Sequence, residues 1–490
     1  MGRPSQRQLV GWWSTWALVQ VLVVSLPTWL RAWGFGFSNY DLGIYSQALA
    51  RLALDPPNPW LSGRQIHLFN DHFDPILFLV APFARLFPAV QVGLVVEALC
   101  ALLALVPLGW LAKEGRLSLR ALWMLGGVLA LHPGVTQALG FPFHPTAWAM
   151  APMAWLLAAL VLERWRIAIV ALVLLLCCKE EFPFVGLALS PFLFFRAPRK
   201  FAWAFVGTSV AWGVFALVLR PRLLGEVMPY ASLPFRGLED GVGAFLSARL
   251  SRGALASMGD LVVSFVPVMV WLGWDQVKVR RPSTSPGVNG WAPISPSGVQ
   301  GRWLFAALLP MLGIRFLSVA WKDHYGAVVV AAAVLAFAAV VQNRKVPWLV
   351  VISTLALVLI NDESLLRRDL KSLRGVQGWA ASAGCEDAPG RANAVRAAVE
   401  KVRPVKGPLF VSGNLLPWLA ERDDVYAFGG PQPASITPRV VLLERPPCGD
   451  TWARPIEERQ ALFAQWRSRS DTRVLVDTDF VFAAELAQPE

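Results

Sequence analysis

At 490 residues, 55% of them hydrophobic and only 16% charged, with a mean hydropathy of +0.48, the chain is too apolar for a water-soluble protein of its length. A net charge of +12 raises nucleic-acid binding, but the bases sit in short clusters between apolar runs, as on the cytoplasmic connections of a membrane protein. Composition therefore excludes a soluble nucleic-acid binder and predicts a mainly α, multi-pass protein of the cell membrane.

In chain order, the first apolar run, 10–33, follows Arg3 and Arg7. It is long enough to span and lacks a small-residue cleavage site, so it is expected to be retained as the first helix. Further runs at 89–112, 119–139, 145–162, 166–178, 182–195, 201–219, 258–273, 303–320, 326–341 and 346–360 approach the roughly 20 residues a crossing requires. Several are short, and about ten or eleven spans are expected within a transmembrane domain, 1–360. Lys113, Arg116 and Arg120, then Arg164 and Arg166, Arg196, Arg199 and Lys200, Lys278, Arg280, Arg281 and Arg302, and Arg344 and Lys345 occupy alternate connections. With a cytoplasmic N-terminus all of these fall inside. Trp12, Trp13, Trp33, Trp60, Trp271, Trp274, Trp321 and Trp348 gather near run ends, as indoles do at headgroup depth.

The first external loop, 34–88, concentrates the chemistry. Leu42, Tyr45, Leu49 and Leu52 recur at helical spacing over Asp41 to Ala53, which suits a helix lying on the membrane. Asp74 to Phe87, opened by Pro75 and closed by Pro88, is too short to cross and is expected as an interfacial or re-entrant helix. Asp41 follows Ser38 by three residues, so it is either the acidic member of a capping box or a catalytic carboxylate. Asp71, His72 and Asp74 place three ionisable groups in four residues, more than a cap requires. They are catalytic candidates, and of the donor types that ligate a divalent metal, although the spacing matches no recognised metal signature.

Later polar interruptions are also expected outside. His144 stands between Pro142 and Pro145, a rigid turn position suited to structure or catalysis. Lys179, Glu180 and Glu181 interrupt a long apolar stretch, which calls for internal pairing or a polar substrate cavity. Glu97 and Arg315 are charges inside apolar runs that could pair with each other. An external loop, 220–257, carries Arg220, Arg222, Arg236, Arg249 and Arg252. Guanidinium forks match phosphate oxygens, and Lys322 and His324 could serve likewise. The Pro, Ser and Gly-rich stretch 280–301 reads as a flexible cytoplasmic loop. No nucleotide-cradling loop or hydrolase elbow stands in a supporting context.

From 361 to 490 the composition becomes ordinary. Short buried strands around 410–412, 439–443 and 473–477, alternating with helices at 391–402 and 456–467, predict an extracytoplasmic soluble α/β domain. Cys385 and Cys448 fall there, where a disulfide is chemically permitted. Cys100, Cys177 and Cys178 lie in apolar runs and read as small buried hydrophobes.

These motifs, in this order, resemble a family of membrane proteins, domain of unknown function 2079. The resemblance runs through the decapeptide from Tyr40 to Leu49, His72 to Leu77, Phe143-His144-Pro145, Lys179-Glu180-Glu181, His324-Tyr325 and the segment from Asn414 to Arg422, covering nearly the whole chain. More distantly, the plan resembles the C-fold membrane glycosyltransferases, which use polyprenyl-phosphate sugars and carry an essential acid in the first external loop. That likeness implies Asp41 as the matching acid, with Asp71, His72 and Asp74 beside it. This chain has Asn39-Tyr40-Asp41 in place of a paired-acid motif.

The expected activity is transfer of a sugar from a polyprenyl-phosphate donor to a lipid, glycan or protein acceptor of the cell envelope. Asp41 would act on the acceptor, and Asp71, His72 and Asp74 would assist it or hold a metal. His144, Lys179, Glu180 and Glu181 would line the substrate site, with Arg220, Arg222, Lys322 and His324 toward the phosphate. The alternative is a non-catalytic transporter or assembly scaffold. Transporters favour internal repeats and midplane sites, and no repeat is evident.

Overall fold

The computed structural model describes residues 3–37, 40–141, 143–224, 238, 240–251, 255, 258–259, 262–279, 302–318, 325–342, 344–360, 390–429, 436–445 and 456–486. Ser38, Asn39, Lys322, His324, Cys385, Cys448 and the stretch 280–301 lie outside these residues.

Every predicted apolar run contains a helix. The first, α1 (Gln6–Trp33), opens on a capping box in which the Gln8 amide donates to Ser5 Oγ at 3.3 Å and the Ser5 amide donates to Gln8 Oε1 at 2.8 Å. It ends where Phe35 turns to φ +56°. After it come α2 (Tyr40–Leu52), the strands β1 (Trp60–Leu61) and β2 (Ile66–His67), a helical turn Leu68–Asp71, a second turn Leu77–Val80 and a 3-10 turn Ala81–Arg85. Then follow α3 (Ala89–Lys113), α4 (Leu119–Gly140), α5 (Pro145–Val161), α6 (Trp165–Leu176), α7 (Pro183–Arg196) and α8 (Arg199–Leu224). The short α9 (Val242–Arg249) precedes α10 (Val266–Val279), and α11 (Trp303–Leu317), α12 (Gly326–Val341) and α13 (Trp348–Ile360) complete the apolar series. Among the described residues α1, α3, α4 and α8 are long and apolar enough to cross a membrane. The segment expected as one helix from Asp74 to Phe87 is two short turns instead, because Pro82 allows no regular helix through its middle.

The chain divides into two compact units. The first comprises Met1–Val24, Glu97–Gly140 and Pro145–Arg368. Its centre is α12, buried along its full length and packed against α4 and α5. Gly326 lets it approach Gly134 so closely that an added Cβ would stand 2.6 Å from the Gly134 carbonyl oxygen, the small-residue contact typical of membrane helices. Trp12 is buried and donates from Nε1 to the Leu122 carbonyl at 3.0 Å. The most apolar stretch of α4 is 83% buried, whereas those of α1 and α8 are 22% buried. Outward-facing apolar side chains such as Leu18 and Leu22 need a hydrocarbon surround.

The second unit comprises Ser25–Val96, Phe141–His144 and Asp369–Glu490. Its five-stranded sheet has the order β4-β3-β5-β7-β6, from β3 (Leu409–Val411), β4 (Val425–Ala427), β5 (Val440–Glu444), β6 (Thr472–Asp477) and β7 (Val481–Leu486). β3 runs parallel to β4 and β5, and β7 is antiparallel to β5 and β6. Alternation along β3, β5 and β7 sorts the side chains. Leu409, Val411, Val440 and Leu442 pack with Val395 and Val399 of α14 (Arg391–Val402). Phe410, Val441, Leu443 and Phe482 pack with Phe463 and Trp466 of α15 (Ile456–Ser468). The predicted strands and helices all form, and β4 and β7 are added to them.

The first loop belongs to the same unit as the sheet. Residues 42–49 of α2 are all buried, so the helix expected to lie on the membrane is a core helix of this unit. Gly43 gives it room, since an added Cβ would overlap Leu416. Gln47 Nε2 donates to Ser62 Oγ at 2.8 Å and to the Arg422 carbonyl at 2.9 Å, and Ser62 Oγ donates to the Val425 carbonyl at 2.6 Å. Glu444, fully buried, accepts from Arg391 and from Asn414, which also reach the Gly34 and Phe35 carbonyls. Buried carboxylates persist only with such partners.

Candidate functional site

Asp41 stands half-buried in the first turn of α2, where the helix dipole favours a carboxylate. Tyr45 is one turn on, on the same face, and is 1% exposed. Its hydroxyl donates to Asp74 Oδ2 at 3.0 Å, and Asp74 is fully buried. Asp71 closes the turn Leu68–Asp71 and accepts from Arg64 Nη1 at 2.7 Å. His72 ends that turn in extended conformation. The Tyr45 ring lies 4.5 Å from the His144 ring, edge on, and 6.5 Å from the His72 ring, nearly parallel, while the two imidazoles are 6.2 Å apart. Phe143 reaches the same ring at 6.1 Å. Gly93 admits it, because a Cβ there would overlap the Phe143 ring.

The electrostatics agree with this convergence. Burial, followed by the carboxylates of Asp74, Asp41 and Asp71, pushes the Tyr45 phenol well above its ordinary pKa. Three acids thus act on one buried hydroxyl. A carboxylate at such a site can accept a proton from a bound hydroxyl and stabilise a developing positive charge.

The structure brings Asp41, Asp71, His72, Asp74 and His144 together within the second unit. Lys179, Glu180, Glu181, Arg220 and Arg222 belong to the first unit. There Arg315 pairs with Glu181, not with Glu97, and its guanidinium stacks 3.6 Å above the Tyr325 ring. Lys179 Nζ lies 3.5 Å from the Tyr325 hydroxyl and 4.9 Å from the centre of its ring. Lys179, Glu180 and Arg315 are buried. Arg220 is buried while Arg222 is exposed, because residues two apart on a helix do not share a face. Arg249 donates to the Leu317 carbonyl from Nε at 3.0 Å and Nη2 at 2.7 Å, so it caps the end of α11. Lys322 and His324 lie outside the described residues.

Among the described residues no group of three or more His, Cys, Asp and Glu side chains is placed to hold a metal ion. Asp71, His72 and Asp74, catalytic candidates whose donor types could also ligate a metal, are engaged within the protein: Asp71 accepts from Arg64 and Asp74 from Tyr45. Tyr45, Arg64 and Phe143 are members that sequence reasoning passed over. The signal for Tyr45 was its position one turn after Asp41.

The family of predicted membrane proteins DUF2079 matches residues 31–473. Among curated proteins none matches this sequence. Among solved structures, the crystal structure of ArnT from Cupriavidus metallidurans in the apo state is similar over 97% of this chain and 99% of its own, at 14% identity and a TM-score of 0.39.

Proposed function

The chain belongs to the DUF2079 family of predicted membrane proteins, and from that premise we propose that it is an integral-membrane glycosyltransferase. It moves a sugar from a polyprenyl-phosphate donor to a lipid, glycan or protein acceptor at the external face. The observation that supports this reading is the convergence of Asp41, Asp71 and Asp74 on buried Tyr45, beside His72 and His144. Asp41, half-buried where the others are enclosed, is the carboxylate that meets the acceptor. The acceptor oxygen attacks the anomeric carbon and its proton passes to Asp41. The carbon–oxygen bond to the lipid phosphate breaks, and its electron pair leaves on the phosphate oxygen.

The test is complementation of a deletion strain, with glycolipids and surface glycans read by mass spectrometry. Asp41→Asn is expected to lower transfer at least about 100-fold with unchanged abundance in the membrane. Full restoration of the glycans by this variant would overturn the assignment. A second reading, a non-catalytic scaffold, is favoured by the internal engagement of Asp71 with Arg64 and of Asp74 with Tyr45. It predicts glycans indistinguishable between the deletion strain and its parent.

A further inference from the structure

We propose that Tyr45 is the positioning residue of this site: its hydroxyl fixes one oxygen of Asp74, and its ring sets the imidazoles of His72 and His144 against one another. The kinetic part of this proposal rests on the transfer reading; the structural part does not.

The geometry is unusual for a core tyrosine. A buried phenol needs one acceptor, and a backbone carbonyl would satisfy it. Here the acceptor is a carboxylate 29 residues away in sequence, itself fully enclosed. The ring is shared as well, meeting His144 at an interplanar angle of 68° and His72 at 13°. One side chain therefore touches the loop after β2 through Asp74 and His72, and the Phe141–His144 segment through His144. The charged and titratable groups facing it are Asp41 from its own helix, Asp71, His72 and Asp74 from the loop, and His144; Arg64 enters through Asp71.

The electrostatic setting gives this arrangement a direction. The surrounding acids and burial keep the phenol protonated, so it is a constant donor, and a donor to a carboxylate favours the ionised form. Tyr45 thereby favours the ionised form of Asp74 beside the imidazoles. Phenylalanine retains the ring and loses that donor; leucine loses both.

The experiment uses the full-length protein in lipid nanodiscs, with aspartate carboxyl carbons and histidine ring nitrogens labelled for NMR. Asp74→Asn and single His→Gln variants assign the signals. Tyr45→Phe is expected to raise the Asp74 titration midpoint by about one pH unit, with Asp477 unmoved as an internal control. In Tyr45→Phe the His72 and His144 resonances stay close to wild type at neutral pH. In Tyr45→Leu they move while those of His67 and His132 do not. An Asp74 midpoint unchanged in folded Tyr45→Phe would overturn the proposal. So would unmoved His72 and His144 signals in Tyr45→Leu; should that variant not fold, the phenylalanine variant decides alone. Where wild type transfers sugar, the acid limb of the rate profile in Tyr45→Phe shifts upward with Asp74, which a purely structural role would not do. Absence of transfer in wild type would remove the enzyme reading and leave the NMR outcome standing.

Discussion

The two units each bury a polar cluster, and the acid at its centre is held by a guanidinium in one and by a neutral phenol in the other. In the first, Glu181 has a guanidinium, Arg315, whose other face lies on the Tyr325 ring and beside which stands Lys179. Charge answers charge. In the second, Asp74 has one oxygen held by a neutral phenol, and Asp41 and Asp71 add their fields to the same point. An ion pair of the first kind is locked and contributes mainly to register and stability. A carboxylate held by a neutral donor keeps its charge available for chemistry. Under the proposed transfer activity, the difference separates a cluster that holds helices together from one that acts on a substrate.

Breaking the first cluster should therefore cost the most stability. Arg315→Met leaves the Glu181 carboxylate without its partner, and a loss of about 3–5 kcal/mol is expected, read as a lowered unfolding temperature in detergent. The double variant Glu181→Gln with Arg315→Met should recover most of that loss. If the single variant is as stable as wild type, the contrast between the units fails. An intermediate effect is expected from Gly93→Ala in the second unit. The new methyl group meets the rigid Phe143 ring, and overpacking of this kind costs about 1–3 kcal/mol. Because Phe143 precedes His144, the His144 resonance should move with it. Loss of stability with an unmoved His144 would show that Phe143 fills space without placing the imidazole.

The spans and the sheet were legible because their signals are local. Apolar runs mark helices whatever they pack against, and alternating Leu409-Phe410-Val411 and Val440-Val441-Leu442-Leu443 mark strands covered on both faces. β7 was missed although Val481-Phe482-Ala483-Ala484 is apolar, because two alanines dilute its strand character. The site was half legible. Asp41, Asp71, Asp74 and His144 announced themselves by chemical type, but their meeting point is a tyrosine whose hydroxyl partner lies 29 residues away. The placement of α2 was misread because its leucines describe only one stripe. Gly43, Ile44 and Ala48 on its other sides are buried too, and only Leu416 and Arg422, in the connection between β3 and β4, reveal why. One charge in an apolar run gives no direction, so the sequence offers Glu97 as a possible partner of Arg315 where the structure has Glu181.

A third carboxylate, Asp477 at the end of β6, extends the comparison to the surface and should show the smallest effect. Arg467 donates to it from Nε at 2.8 Å and Nη2 at 2.7 Å, and Arg445 Nη1 donates at 2.7 Å. The Arg467 hydrogen bonds, against an opposing desolvation cost and with help from Arg445, hold its carboxyl below the ordinary range. A carboxyl lowered in the folded state contributes stability above its unfolded pKa of about 3.9, and loses it as pH falls through the folded value. The side chain is 33% exposed, so water and salt screen the interaction, and its worth is under about 1 kcal/mol. Asp477→Asn should therefore barely change the unfolding temperature at pH 7 and should flatten its fall below pH about 4. Added salt should weaken the wild-type contribution but leave the Arg315–Glu181 effect nearly intact, since screening reaches a surface pair and not an enclosed one.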